Sequence, residues 1–189
     1  MYTQRPVDFL DYSAQILRAI PQGVLLTTQA QDELNTMTIG WGTMGTNWSR
    51  PVFEAYVRTG RYTAQMLEKH AEFTVNIPLD ETKEQRKRTR KIMGICGTHH
   101  GNEVNKFEMA QLTPVTSTHV DVPGIAELPL TLECTVIYCQ VEDSALYIPE
   151  IKRDFYPEDK DSSEYGSNKD PHLMVFGEIV GSYVIEHEE

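Results

Sequence analysis

A closed β-barrel with helices packed against it is the fold class this sequence predicts, on three observations. Six segments are rich in β-branched and aromatic residues and are bounded by turn formers. Only two segments carry a solid helical pattern. Strands follow one another through hairpins, without the strand–helix alternation of a parallel sheet, and no internal repeat is visible. At 189 residues the chain is expected to form a single domain, 1–189, with a sizeable core.

The first strand is "GVLLTTQ" (Gly23–Gln29), and the second is "LNTMTIGWG" (Leu34–Gly42), joined through the polar "AQDE". "VFEAYVR" (Val52–Arg58) is the third and "EFTVNI" (Glu72–Ile77) the fourth. The long β-branched "LPLTLECTVIYCQVED" (Leu128–Asp143) supplies the fifth. "HLMVFGEIVGSYVI" (His172–Ile185) is the sixth, with Gly177 and Gly181 as bend or bulge points. The first helix is "RYTAQMLEKH" (Arg61–His70), which spaces Met66, Leu67 and His70 along one face. The second, "DETKEQRKRTRKIMGICG" (Asp80–Gly97), opens on acidic residues and closes on glycines. Residues 150–171 form a polar, lid-like insertion that carries Phe155, Tyr156 and Tyr165. A connection that long is a lid, a dimer contact or a floppy excursion.

Composition narrows the function. A net charge of −11 argues against a nucleic-acid backbone as the main partner. Three cysteines without a C-x-x-C pair make no disulfide framework, and Cys134 and Cys139 fall on opposite faces of their strand. No apolar run has signal-peptide or membrane-span character, so a cytoplasmic protein with no membrane partner is expected.

"GWGTMG" (Gly40–Gly45) matches a dinucleotide fingerprint letter for letter. Its context rules that reading out. Pro51 and the β-branched and aromatic residues after Gly45 leave no room for the helix, and Glu68, at the right distance for the acidic partner, lies inside a helix. What remains is a strand that places Thr36, Thr38, Gly40 and Gly42 on one face and Asn35, Met37, Ile39 and Trp41 on the other. Small hydroxyls beside bare backbone suit either a flat, polar-edged ring or a barrel strand at its bend.

Arg58 and Arg61 then flank a strand end, and Tyr62 and Thr63 open the next helix. Guanidinium groups beside a helix N-terminus form an anion site. Together with Asn35-Thr36-Met37-Thr38 and Trp41, with "EFTVNIP", "CGTHHGNEVNKFE" (Cys96–Glu108) and "HLMVFGEIV", the chain resembles the flavin reductase-like family of FMN-binding split barrels, in its flavoredoxin branch.

The resemblance implies a mainly β fold: a six-stranded antiparallel Greek-key split barrel with flanking helices, working as a homodimer. It implies FMN contacts from Asn35, Thr36, Met37, Thr38 and Trp41, phosphate contacts from Arg58, Arg61, Tyr62 and Thr63, and an approach of Lys106 to the flavin. It implies an NAD(P)H-dependent oxidoreductase that takes a hydride from NADH or NADPH and passes electrons to a small-molecule acceptor. A flavin-binding carrier or sensor without turnover is the alternative, and an amine-oxidising barrel enzyme a third. Catalytic side chains are not assigned, because the chemistry belongs to the cofactor.

Two further clusters carry no such expectation. "CGTHH" and His119 match no structural zinc spacing, so no metal site is expected. "RKRTRK" (Arg86–Lys91) reads as a solvated helix face, with a dock for nicotinamide-cofactor phosphates as the competing role.

Overall fold

A computed structural model describes residues 1–79, 82–157 and 170–187. In chain order the strands are β1 (Tyr2–Pro6), β2 (Val24–Ala30), β3 (Glu33–Ile39), β4 (Gly42–Asn47), β5 (Arg50–Arg58), β6 (Glu72–Ile77), β7 (Pro114–Val115), β8 (Gly124–Ile125), β9 (Leu130–Val141) and β10 (His172–His187). The helices are α1 (Ser13–Ala19), α2 (Tyr62–Lys69), α3 (Lys83–Thr98), α4 (Lys106–Ala110) and α5 (Pro149–Phe155).

Seven strands pair in the order β3-β2-β6-β9-β10-β5-β4, and β1 pairs with β10, making one eight-stranded antiparallel sheet. The six strands expected from sequence are all in it, and β1 and β4 are added to them. Among the described residues no ladder joins β3 to β4 or β5, so the barrel stays split on that side. The expected second strand differs for a local reason. Leu34–Gly42 breaks at Gly40–Trp41, and Gly42 instead starts β4, which pairs back on β5. Gly42 is tightly boxed there: a Cβ would meet the Phe53 ring at 3.0 Å and the Glu54 carbonyl at 3.2 Å.

The sheet buries two layers. Val24 and Leu26 of β2 point into the barrel with Phe53, Phe73, Val75, Leu132 and Val175, while Leu25 packs outward with Ile92, Met93 and Cys96 of α3 and Phe107 of α4. Burying such aliphatic and aromatic side chains contributes about 1.5–3 kcal/mol each. Within the sheet runs a polar seam of fully buried groups. The Thr27 hydroxyl lies 2.9 Å from Asn76 Oδ1 and 3.1 Å from the Thr36 hydroxyl, and Asn76 Nδ2 donates to Thr131 at 3.2 Å. Every member has a partner, which is what makes such burial tolerable.

Helix ends follow local chemistry. α2 matches its expected span, with Arg61 and His70 as caps. α3 opens on a capping box in which the Thr82 side chain and the Gln85 backbone, and the Gln85 side chain and the Thr82 backbone, bond reciprocally. The expected glycine stop is not used. Gly94 and Gly97 lie inside α3, and a Cβ on Gly97 would touch Thr38 at 3.4 Å, so the small residue lets the helix lie close on β3. Part of the 150–171 insertion is ordered as α5; residues 158–169, including Tyr165, lie outside the described residues.

The register of β10 against β9 shifts between Phe176 and Gly177 and again between Ile179 and Gly181, the two positions expected to bend. At Gly177 a Cβ would meet the Phe73 ring at 2.6 Å and Cys134 Cβ at 2.8 Å. Gly177→Ala is therefore expected to destabilise the protein by roughly 1–3 kcal/mol through overpacking. In urea unfolding this appears as a lower midpoint at an unchanged slope.

Candidate functional site: a trench at the split of the barrel

The side on which β3 and β5 fail to pair carries three adjoining recesses. A narrow polar crevice is lined by Asn35, Arg61, Thr63, Lys106, Gly97 near the end of α3 and His99, His100 and Gly101 just after it, among others. It shares Met37 and Arg61 with a middle recess of about 160 Å³ bounded by Thr38, Tyr56, Arg58 and His172. That recess shares Gly40, Trp41 and Tyr56 with an aromatic cavity of about 490 Å³ that reaches Tyr147, Phe155 and Tyr156. Shared walls make these one trench.

The polar end is built from a helix start and a buried amine. The first N–H groups of α2 have no partner within the helix, and Arg61 caps it with extended backbone and no side-chain hydrogen bond. Asn35 Nδ2 donates to the Thr63 hydroxyl at 2.9 Å. Gly101 allows this packing, because a Cβ there would meet Asn35 Cγ at 2.7 Å. Lys106, only 5% exposed, donates to the carbonyl oxygens of Thr36 (2.9 Å) and Cys96 (3.2 Å). Burial lowers its pKa to about 8, helped by the nearby Arg61, and burial raises the Cys96 thiol to about 11. The free volume is only about 10 Å³, less than a phosphate needs, so occupancy by one requires the crevice to open.

At the middle, the Arg58 guanidinium donates to the Asp170 carbonyl at 2.8 Å and stacks over the rings of Trp41 (5.9 Å) and Tyr156 (5.3 Å). His172 packs on Trp41 with ring centroids 4.7 Å apart, and burial and Arg58 push its pKa down to about 4. The aromatic end is fastened by one carboxylate. Glu142 Oε2 accepts from the hydroxyls of Tyr147 (2.6 Å) and Tyr156 (3.0 Å) and from the His172 backbone N–H (3.3 Å). Tyr56 is pushed up to about 12 by burial and by Glu54 and Glu142, so its hydroxyl stays protonated.

Of the expected residues, Asn35, Met37, Arg61, Tyr62, Thr63 and Lys106 meet at the polar crevice, and Met37, Thr38, Trp41, Arg58 and Arg61 at the middle recess. Thr36 is in neither lining; its hydroxyl lies in the sheet seam, and its carbonyl holds Lys106. The Thr38 hydroxyl donates to the Met93 carbonyl (2.8 Å), and Tyr62 bonds Glu33. Arg58 reaches the middle and not the crevice. Tyr56, Glu142 and Tyr147 were not anticipated, and Tyr156 was expected only as an aromatic of the insertion. For Tyr56 a signal existed, since it lies two residues before Arg58 on the same face of a strand; Glu142 and Tyr156 meet only because the chain returns at His172.

The remaining clusters stay apart from this trench. His119 pairs with the buried Glu133 at 2.7 Å, and Arg88 of the basic run bonds Glu127 at 3.3 Å. Among the described residues no helix is long and apolar enough to cross a membrane.

Residues 17–189 match the family model described as the flavin reductase like domain. An uncharacterized protein of Archaeoglobus fulgidus is 31% identical over 132 residues, 69% of this chain and 70% of that relative. Flavoredoxin of Desulfovibrio vulgaris (Miyazaki F) is similar in fold at a TM-score of 0.59 and 22% identity, covering 86% of this chain and 68% of that one. The NADH:FAD oxidoreductase of Streptomyces globisporus, solved with NAD and FAD fragments, has a TM-score of 0.58 at 18% identity, covering 95% and 86%.

The depressed Lys106 has a measurable consequence. Its folded pKa (about 8) lies below the ordinary lysine value of 10.5, so between those values the unfolded chain binds more protons. Stability of the ligand-free protein is therefore expected to gain a contribution as pH rises from about 8 to 10.5, one missing at and below pH 7. Comparing urea unfolding of wild type and Lys106→Met at pH 7 and pH 10 isolates it. The wild type should gain relative to the variant, and parallel behaviour would show that Lys106 is not depressed.

Proposed function

The chain belongs to the flavin reductase-like family, and on that premise we propose that it binds FMN along the trench, oxidises NADH or NADPH, and hands the electrons to a small acceptor. The observation that carries this reading is continuity. A cationic, hydroxyl-bearing crevice and an aromatic cavity share walls, as a ligand with a phosphate at one end and a flat ring at the other requires. The donor set fits: Arg61, Lys106, the Thr63 hydroxyl and the first N–H groups of α2 all favour an anion. Such a cluster has no purpose for an uncharged ligand. In this reading Met37, Thr38, Trp41 and Tyr56 flank the ring.

When bound, FMN supplies the hydride chemistry, and the protein supplies binding, orientation and tuning. Tyr56 and Tyr156 remain neutral hydroxyl donors at physiological pH. His172, held neutral by burial and by Arg58, adds no charge next to the ring. Ile151 and Phe155 of α5, with its C-cap Tyr156, line the aromatic cavity, where a nicotinamide or an acceptor would stack. The NAD and FAD fragments bound by the Streptomyces globisporus relative support a nicotinamide donor here.

Purified protein loaded with FMN is expected to bleach within seconds when mixed anaerobically with NADH or NADPH, and to recolour when an acceptor is added. Failure to bleach with either would leave a carrier or sensor. Arg61→Ala is expected to weaken FMN about 10- to 100-fold, the loss of a charged hydrogen bond of roughly 1.5–3 kcal/mol, and to leave riboflavin affinity nearly unchanged. Equal losses for both flavins in a fluorescence titration would place Arg61 away from the phosphate.

A further inference from the structure

The first residues of α2 line the polar crevice, and its other end carries a different chemistry. With eight residues the helix is about 12 Å long. His70 is its C-cap. Its Nδ1 lies 2.9 Å from the Gln29 carbonyl oxygen, an atom that can only accept, so Nδ1 is the donor there and Nε2 is the ring nitrogen turned toward Glu72. That arrangement, one ring nitrogen fixed by a carbonyl and the other left open, is how protein imidazoles are held ready for metals.

The open nitrogen faces carboxylates. Nε2 lies 3.5 Å from Glu72 Oε2, and a carboxylate oxygen of Asp121 completes a set of three atoms all within 4.8 Å of one another. The three residues come from separate segments: the end of α2, the start of β6 and the loop before β8. The carriers are also fixed. The Asp121 backbone N–H donates to Glu72 Oε2 at 2.8 Å, and the Thr74 hydroxyl donates to the Pro123 carbonyl at 2.8 Å, which ties the Asp121 loop down on β6. Glu72 itself is registered in the sheet opposite Thr135.

Two carboxylates this close repel unless a cation lies between them. The C-terminal end of α2 adds a partial negative charge on the same side. We infer that His70, Glu72 and Asp121 form a structural site for a divalent cation of the zinc class, which staples the end of α2 to β6 and to the loop before β8. One imidazole and two carboxylates suit Zn(II) better than Mg(II) or Ca(II), which take oxygen sets. Bonds of about 2.0–2.1 Å set tetrahedral ligand atoms about 3.4 Å apart, so His70 and Glu72 already have that spacing. The exposed Asp121 side chain has only to close inward, and solvent fills the fourth position.

The test uses the whole purified chain, stripped with EDTA and dialysed. Titration with ZnCl2 by calorimetry is expected to give one equivalent per chain, with a raised Tm in excess Zn(II). Co(II) should give a visible d–d band of low-symmetry coordination, and MgCl2 and CaCl2 should give neither heat nor a shift in Tm. Asp121→Asn, an exposed and isosteric change, should keep or slightly raise the metal-free Tm and weaken Zn(II) at least tenfold; His70→Gln should weaken it further. If His70→Gln fails to fold, Asp121→Asn decides alone. Absence of Zn(II) binding overturns the assignment. So does Zn(II) affinity unchanged in these variants, which would locate the metal elsewhere, or equal binding of Mg(II).

Discussion

The Lys106 ammonium, held between the Thr36 and Cys96 carbonyls, ties together three elements that the sheet alone does not connect: β3, α3 and α4. Taking a charge out of water is costly by several kcal/mol, and two neutral acceptors compensate only in part. The residue accordingly gives up its proton more readily than a surface lysine. Its position depends on α4, whose first turn is capped by the Asn105 side chain accepting from the backbone of Phe107 and Glu108. The trench wall therefore depends on a short capped helix, which places the amine while Phe107 and Ala110 anchor it in the outer apolar layer.

The second constraint is the split. A sheet that ended in a closed ladder would fill its seam with backbone hydrogen bonds and leave no recess. Here the break at Gly40–Trp41 ends β3, the chain goes on as β4 to pair with β5, and the opening left between β3 and β5 is bordered by side chains from β3, β5 and β10. The rest of the barrel is packed on both sides of β2 and stitched by the Thr27–Asn76–Thr131 seam. Rigidity around a deliberate gap is what allows loops and α5 to shape the cavity without disturbing the frame. α5 is fastened by Glu142 and Arg58 and adds no residue to the buried apolar core of the barrel, unlike β2 or β6.

Much of this was legible because it is periodic or local. β6 and α2 have their expected bounds, or bounds within one residue of them, since alternation and caps are written in adjacent residues. The bends at Gly177 and Gly181 were legible because a glycine within a strand has few other uses. What escaped was non-local. The glycines near the end of α3 looked like a stop, yet they serve contact with β3, which no local pattern reveals. β1 is short, half-exposed and mixed in character, and it is a strand only because β10 offers an edge. Of the site residues read from "NTMT" and "RTGRYT", all but Thr36 line one trench. The direction of each side chain was less legible: Thr36 and Thr38 turn toward the sheet seam and α3, because that face of β3 is covered by helix. Glu142, Tyr156 and His172 join from the two ends of a long connection, a meeting that sequence distance conceals.

The break that opens the barrel also gives the protein an optical handle. The chain has two tryptophans. Trp41 sits at that break, 38% exposed, against the His172 and Phe155 rings and under the Arg58 guanidinium. Trp48 is 57% exposed at the turn between β4 and β5, against Tyr138 and Phe176 and away from the trench lining. The two indoles therefore have separate surroundings, one at the cavity mouth and one as an internal reference. Replacing Trp48 with Phe leaves a single tryptophan whose emission reports on the cavity mouth, so occupancy of the trench becomes readable in real time without an added dye.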